Sequence, residues 1–207
     1  MSALQGSLFD VGEEIGIRSL EAVERTDLSD GAWVELLPGW VIGAAPLFEQ
    51  LVDAVPWKSE RRKMYDRTVD VPRLLAFYGE DEALPHLVFN EAKAALSAHF
   101  GDEPSGPFLT TGFCLYRDGR DGVAWHGDTI GRSSTVDTLV AIISLGARRR
   151  LLLRPKGGGP ARRFEVGEGD LLVMGGSCQR TWEHTIPKTV RPVGPRISVQ
   201  LRPRGVS

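Results

Sequence analysis

The chain has 207 residues, 42% of them hydrophobic and 25% charged, with 25 Lys+Arg against 27 Asp+Glu and a formal net charge of −2. That length suits one domain, or one domain with an extension, and the composition excludes a disordered chain, a collagen-like rod and a coiled coil. No run approaches the ~18 apolar residues of a membrane span, and residues 1–10 lack the positive charge and apolar core of a secretory signal, so a cytoplasmic protein with no membrane partner is expected.

Residues 1–30 are acidic and sparse in large apolar groups, and are expected to form a loosely ordered extension. Residues 33–37, a Pro38-Gly39 turn and residues 40–42 read as a short hairpin. A helix is predicted over 46–55, where Leu47, Phe48, Leu51, Val52 and Val55 fall at helical spacing. A second is predicted over 85–100, with Pro85 in its first turn, Phe89, Ala92, Leu96 and Phe100 on one face, and Gly101 to end it.

From Phe108 the period changes. Strand-like runs occur at 108–116, 138–145, 150–154, 163–166, 171–174, 179–184 and 196–202, separated by glycine-rich turns such as Gly157-Gly158-Gly159-Pro160 and Gly175-Gly176. The pattern predicts an α+β, mainly β chain whose core is an antiparallel sandwich or jelly roll with helices on one face. Residues 31–107 would form a helical layer and substrate lid and residues 108–207 the core, with 31–207 making one domain. Cys114 and Cys178 are too few for a disulfide scaffold and read as buried free thiols.

The net charge conceals a division. Residues 1–60 carry three basic and eleven acidic side chains, residues 61–144 nine and twelve, and residues 145–207 thirteen and four. The basic third includes Arg148-Arg149-Arg150, Arg154, Lys156, Arg162 and Arg163, which could form a phosphate footprint or the solvated tip of a hairpin.

Four histidines are present. His86 and His99 lie in the second predicted helix without companions at ligand spacing. His126-Gly127-Asp128 places an imidazole and a carboxylate at i and i+2, hence on the same side of an extended strand, and His184 follows 58 residues later. Two histidines and one carboxylate make a facial triad of the kind that holds non-haem Fe(II) with positions left open. Soft thiolate ligands are absent from this set, which argues against structural zinc. Arg196 and Arg202 share one side of a strand whose other side carries Ile197, Val199 and Leu201. Two inward guanidiniums need anions, which a bound dicarboxylate would supply; two surface arginines on an edge strand would give the same spacing.

In this order the motifs resemble the AlkB-type 2-oxoglutarate- and Fe(II)-dependent dioxygenases, over about Pro72 to Pro203. The resemblance rests on Pro72-Arg73 through Tyr78-Gly79, on Leu115-Tyr116 followed by Trp125-His126-Gly127-Asp128, and on Ser144-Leu145-Gly146. It continues through Trp182-Glu183-His184 to the arginine strand from Arg196 to Arg202. It implies a double-stranded β-helix in which His126, Asp128 and His184 hold iron. It also implies that Arg196 and Tyr116 take the distal carboxylate of 2-oxoglutarate, with Arg202 near its other end. Where the family commonly has asparagines, this chain has Cys114 and Ser198, the latter keeping a hydroxyl toward the co-substrate.

The implied reaction is oxidative N-demethylation, using Fe(II), 2-oxoglutarate and O2, of an alkylated base in single-stranded DNA or RNA, by a monomer. Damage repair and RNA demethylation both fit. The base would sit between His126 and an aromatic chosen from Tyr78, Trp57 and Trp125, with Arg73 and Arg61-Arg62-Lys63 on phosphates. After Asp128 the chain reads Thr129-Ile130-Gly131-Arg132, without the carboxylates many members carry there. That keeps two alternatives open: the same chemistry on a protein side chain or small molecule, and a non-catalytic nucleic-acid binding module.

Overall fold

The computed structural model describes residues 14–64, 67–129 and 134–206, and over 60–71 the backbone alone. In chain order its elements are β1 (Gly16–Ile17), β2 (Glu24–Asp27), β3 (Ala32–Leu37), β4 (Val41–Ile42), α1 (Ala44–Ala54), β5 (Lys58–Met64), β6 (Arg67–Tyr78) and α2 (Val88–His99). The second half supplies β7 (Phe108–Tyr116), β8 (Val123–His126), β9 (Val140–Gly146), β10 (Arg149–Pro155), β11 (Arg162–Val166), β12 (Asp170–Gly176), α3 (Cys178–Thr181), β13 (Trp182–Ile186) and β14 (Arg196–Pro203). No described helix is long and apolar enough to cross a membrane.

A strand buried on both faces must be apolar on both, and β9 and β12 are: Val140-Ala141-Ile142-Ile143 and Leu171-Leu172-Val173-Met174. They sit inside an eight-stranded antiparallel sheet of order β2-β3-β12-β9-β14-β7-β6-β5. A four-stranded sheet, β11-β10-β13-β8, completes the sandwich. Alternation sorts the side chains into two cores. Ala141, Ile143, Leu171, Val173, Ile197, Val199 and Leu201 face the helices, where Leu47 and Leu51 of α1 and Phe89, Ala92 and Leu96 of α2 close over them. Val140, Ile142, Leu172 and Met174 face inward and meet Leu151, Leu153, Trp182 and Ile186 of the smaller sheet. The result is the jelly roll with helices on one face that the sequence pattern predicts.

Three expectations change. Residues 33–37 and 41–42 do not pair with each other: both edges of β3 are taken by β2 and β12, and β4 pairs with β1. The turn at Pro38-Gly39 exists, but Asp170 Oδ1 accepts the Gly39 N–H at 2.8 Å and Gly169 O accepts the Val41 N–H at 3.0 Å, which leads the chain away from β3. Residues 179–181 of the expected strand 179–184 are helical instead. Gly176, at φ +60°, turns the chain, and the Arg180 and Thr181 N–H groups bond back to Ser177 O at 2.8 and 2.9 Å, so β13 begins only at Trp182.

The third concerns the N-terminal half. Part of the stretch set apart as an extension is paired, through β1 and β2, and β3, β5 and β6 join the same large sheet as β7 and β14 rather than forming a mainly helical layer. The long β5–β6 hairpin escapes a periodicity reading because its sequence, rich in Arg and Lys, does not alternate.

The Asp170 carboxylate is buried, 2% exposed, and accepts two backbone N–H groups, Gly39 by Oδ1 and Gly167 by Oδ2 at 3.1 Å. Asp170→Ala leaves both donors unmet and should cost about 2 kcal/mol. Urea denaturation measures this, and an unshifted midpoint would contradict it.

Candidate metal and co-substrate site

The inward face of β14 presents Arg196, Ser198, Gln200 and Arg202, the residues alternating with its helix-facing core positions. With Tyr116 and Cys114 of β7, His126 of β8 and His184 of β13, they line a small cavity between the two sheets. The same cavity is lined by Asp128, so every residue the sequence nominates for metal or co-substrate faces one space.

His126 and His184 stand on directly paired positions of β8 and β13, with ring centres 4.2 Å apart. Potential ligand atoms of His126, Asp128 and His184 lie within 4.8 Å of one another. The turn that brings Asp128 into place depends on Gly127: a Cβ there would stand 2.6 Å from Gln179 O. Gln179, a residue the motif did not mark, accepts the Asp128 N–H at 2.9 Å through its Oε1.

The protons in this cluster are arranged for a cation. His126 Nδ1 lies 2.8 Å from Ala124 O; a carbonyl only accepts, so Nδ1 carries the hydrogen and Nε2 keeps its lone pair. Burial, and then the nearby His126, push the His184 pKa down to about 3, which leaves that ring neutral. Burial works against a charged Asp128. Arg202, His184 and His126 together outweigh it and hold the carboxyl below its ordinary value. Arg202 Nε donates to Asp128 Oδ2 at 2.9 Å, leaving Oδ1 toward His126 Nε2 at 3.9 Å. Two imidazole nitrogens and one carboxylate oxygen fit an open-sided Fe(II) site.

Two buried guanidiniums flank Tyr116, and their hydrogen bonds separate their roles. Arg149 is 4% exposed and donates to three backbone carbonyls, Asp118, Asp121 and Pro187, at 2.9–3.1 Å. Arg196 is 1% exposed; its Nη2 donates to Ser144 Oγ at 2.6 Å, while Nε and Nη1 have no acceptor among the described residues. A buried charge with unmet donors on a cavity wall fits an anion, and 2-oxoglutarate offers a carboxylate suited to a guanidinium. The contrast also corrects the footprint read into Arg148-Arg149-Arg150. Arg149 is a buried staple, and Arg148, Arg150 and Arg154 are paired with Glu168, Glu165 and Glu183.

The residues nominated for substrate fare differently. Trp125 is on the opposite face of β8 from His126, under the Arg154 guanidinium at 4.0 Å. Tyr78 packs edge-on against Phe113, ring centres 5.4 Å apart, on the helix-facing side of the sheet. Trp57 packs against the same core and donates to Val52 O at 3.0 Å. None of the three lines the cavity. Arg73 does line it and reaches Gly122 O at 3.4 Å, a placement that does not suit the phosphate contact expected of it. The side chains of Arg61, Arg62 and Lys63, and residues 130–132, lie outside the described residues.

The match to known proteins agrees with this geometry. The model of the 2OG-Fe(II) oxygenase superfamily covers residues 82–202. The bovine alpha-ketoglutarate-dependent dioxygenase alkB homolog 3 is 32% identical over 200 residues, spanning 82% of this chain and 67% of that protein. The chain belongs to the 2OG-Fe(II) oxygenase superfamily, on its AlkB-like branch. This oxygenase accordingly uses Fe(II), 2-oxoglutarate and O2. The human alkB homolog 3 is 31% identical with the same coverage. The Arabidopsis thaliana DNA oxidative demethylase ALKBH2 is 25% identical over 191 residues, 75% of this chain and 60% of that protein. Among solved structures, that of OsALKBH1 superposes with a TM-score of 0.61 at 13% identity, covering 87% of the oxygenase and 100% of that chain. An oxidoreductase of the 2OG-Fe(II) oxygenase family from Burkholderia pseudomallei gives 0.56 at 14%, covering 84% and 86%. At such identities the two superpositions speak for the fold alone.

Two buried acids of this region are neutral at ordinary pH. Burial is the main cause that pushes both the Tyr116 hydroxyl and the Cys178 thiol up to about 12, from ordinary values of 10.0 and 9.0. The unfolded chain releases those protons at lower pH than the folded one, so their stabilising effect is complete below pH 9 and is lost as pH rises toward 12. Urea midpoints should fall through that window, and Cys178→Ala should flatten the fall. A flat wild-type profile would contradict the burial of both groups.

Proposed function

We propose that this oxygenase removes N-methyl groups from bases of single-stranded DNA or RNA, acting as a monomer in the cytoplasm. The observation that carries the chemistry is the single cavity in which a His126–Asp128–His184 cluster faces the two unmet donors of Arg196. The nucleic-acid substrate rests on the similarity to alkB homolog 3 over 82% of the chain and to a DNA oxidative demethylase over 75%.

The chemistry that iron, 2-oxoglutarate and O2 would supply when bound is oxidative: 2-oxoglutarate loses CO2, one oxygen atom ends in the resulting succinate and the other on the N-methyl carbon, which leaves as formaldehyde. The chain's own part is positioning. His126 and His184 offer lone pairs, Asp128 is held charged and aimed by Arg202, and Arg196 fixes the co-substrate's carboxylate. The apolar walls, Val140, Ile142, Leu151 and Ile186, keep water from the space between.

For the base, the register of the large sheet offers a residue the motif passed over. Phe77 pairs with Gly112, which is on the same face of β7 as Cys114 and Tyr116, so Phe77 stands on the cavity side while Tyr78 points to the helices. It is 62% exposed. A Cβ on Gly112 would stand 3.0 Å from Gln200 Oε1 and 3.1 Å from Arg202 Nη1, so a glycine there makes room for those two side chains on the cavity side. We assign Phe77, with His126, as the surface that holds the flipped base.

Incubation with Fe(II), 2-oxoglutarate and oligonucleotides carrying single methylated bases tests the function. Formaldehyde release and loss of one methylene's mass from each base are expected, and both should vanish in His184→Ala. Turnover of 2-oxoglutarate with no demethylation of any base would contradict the nucleic-acid substrate.

Phe77→Ala should raise KM for the oligonucleotide about tenfold, the loss of roughly 1–3 kcal/mol of stacking, and leave the KM for 2-oxoglutarate unchanged. Tyr78→Phe should change neither. Steady-state kinetics with each substrate varied in turn separates these outcomes.

A further inference from the structure

Gln200 has no part in the motifs that mark this site, yet it is 9% exposed and lines the cavity between Ser198 and Arg202. Its contacts fix the direction of every hydrogen bond it makes. Nε2 lies 3.0 Å from the backbone oxygen of Ser198; a carbonyl can only accept, so the amide nitrogen must be the atom facing it. The amide oxygen, Oε1, is then the atom 3.6 Å from Cys114 Sγ, and the thiol donates to it.

The second Nε2 hydrogen meets Ser198 Oγ at 2.6 Å. The Ser198 hydroxyl is therefore an acceptor toward Gln200, and its own proton is left for another partner. No other partner of Ser198 Oγ occurs among the described residues. Ser198 lines the cavity two residues from Arg196 on the same face of β14, and Arg196 is the group with two unmet donors.

We propose that Gln200 is a positioning residue for the co-substrate: together with Cys114 it turns the Ser198 hydroxyl so that its proton is offered to the 2-oxoglutarate carboxylate held by Arg196. Cys114 donates to the amide oxygen, the amide nitrogen donates to Ser198, and Ser198 donates into the cavity, all three bonds running one way. Bonds in such a series strengthen one another, and the last donor reaches the ligand with its orientation already set. Cys114 and Ser198, which stand where asparagines are common in the family this sequence resembles, are thus joined by one amide. The inference concerns the co-substrate and holds whichever prime substrate is used.

The test is a binding measurement. Titrate 2-oxoglutarate into Mn(II)-loaded protein under nitrogen, by calorimetry, for the wild type, Gln200→Met, Ser198→Ala and the double variant. Gln200→Met keeps the length of the side chain and removes the amide. It should weaken 2-oxoglutarate about tenfold, Ser198→Ala should do the same, and the double variant should be no more than about twofold weaker than Ser198→Ala alone. Affinity for Mn(II) should be unchanged throughout.

Equal losses from Gln200→Met in the wild-type and Ser198→Ala backgrounds would overturn the inference, because Gln200 would then act without Ser198. Wild-type affinity in Gln200→Met would overturn it as well. Should Gln200→Met not fold, Gln200→Glu in the same two backgrounds gives the same readings. Its carboxylate draws the Ser198 proton away from the cavity, and the Ser198→Ala background measures its added repulsion separately.

Discussion

Arg196 carries a full positive charge on an inner strand of a sandwich, 1% exposed and with two donor nitrogens unmet among the described residues. Left alone, such a charge would cost several kcal/mol, which is why groups of this kind are found paired or waiting for a ligand. Much of the site can be understood from that requirement. Ser144 takes one Arg196 hydrogen, Tyr116 lays its ring 5.3 Å from the guanidinium, and the cavity supplies room for an anion beside the His126–Asp128–His184 cluster. Arg202 meets a related need by another route, spending its charge on Asp128 and so setting the carboxylate's orientation.

The sandwich makes these placements possible because each sheet face has one task. On β14 the odd-numbered residues Ile197, Val199 and Leu201 fasten the strand to the helix-covered core, while the even-numbered ones form the cavity wall. The smaller sheet answers with His126 and His184 in register. Arg149, with its three carbonyl partners, ties the segments after β7 and β13 to β10 and so fixes the edge of the cavity near Tyr116.

How much of this was legible in the chain follows from the range of each interaction. The spacing of Arg196 and Arg202 is local, six residues along one strand, which decides a face; His126 ends β8, and an equally local turn at Gly127 brings Asp128 beside it. Gln200 obeys the same alternation and was open to the same reasoning. What each guanidinium meets was not open to it, since Arg202 finds Asp128 74 residues away and Arg149 finds carbonyls 28 to 38 residues away. Tyr78 illustrates the other limit. A motif singles out an aromatic but not the register of its strand, and one position decides between the helix-facing core and the cavity side, where Phe77 stands. Among the N-terminal strands, 33–37 reads as a strand but its partner β12 lies far along the chain, whereas β2, β5 and β6 pair with sequence neighbours and were hidden because they lack an alternating apolar pattern.

The sharing of β14 between two duties has a consequence for how this protein can vary. A one-residue insertion or deletion there would turn Ile197, Val199 and Leu201 into the cavity and drive Arg196 into the helix-covered core. Folding and chemistry would fail together, with no intermediate stage at which one is traded for the other. Point changes on this strand can be absorbed singly, residue by residue, on either face. Changes of length cannot, so variation in length is confined to segments such as the glycine-rich turn after β10, where the backbone carries neither duty.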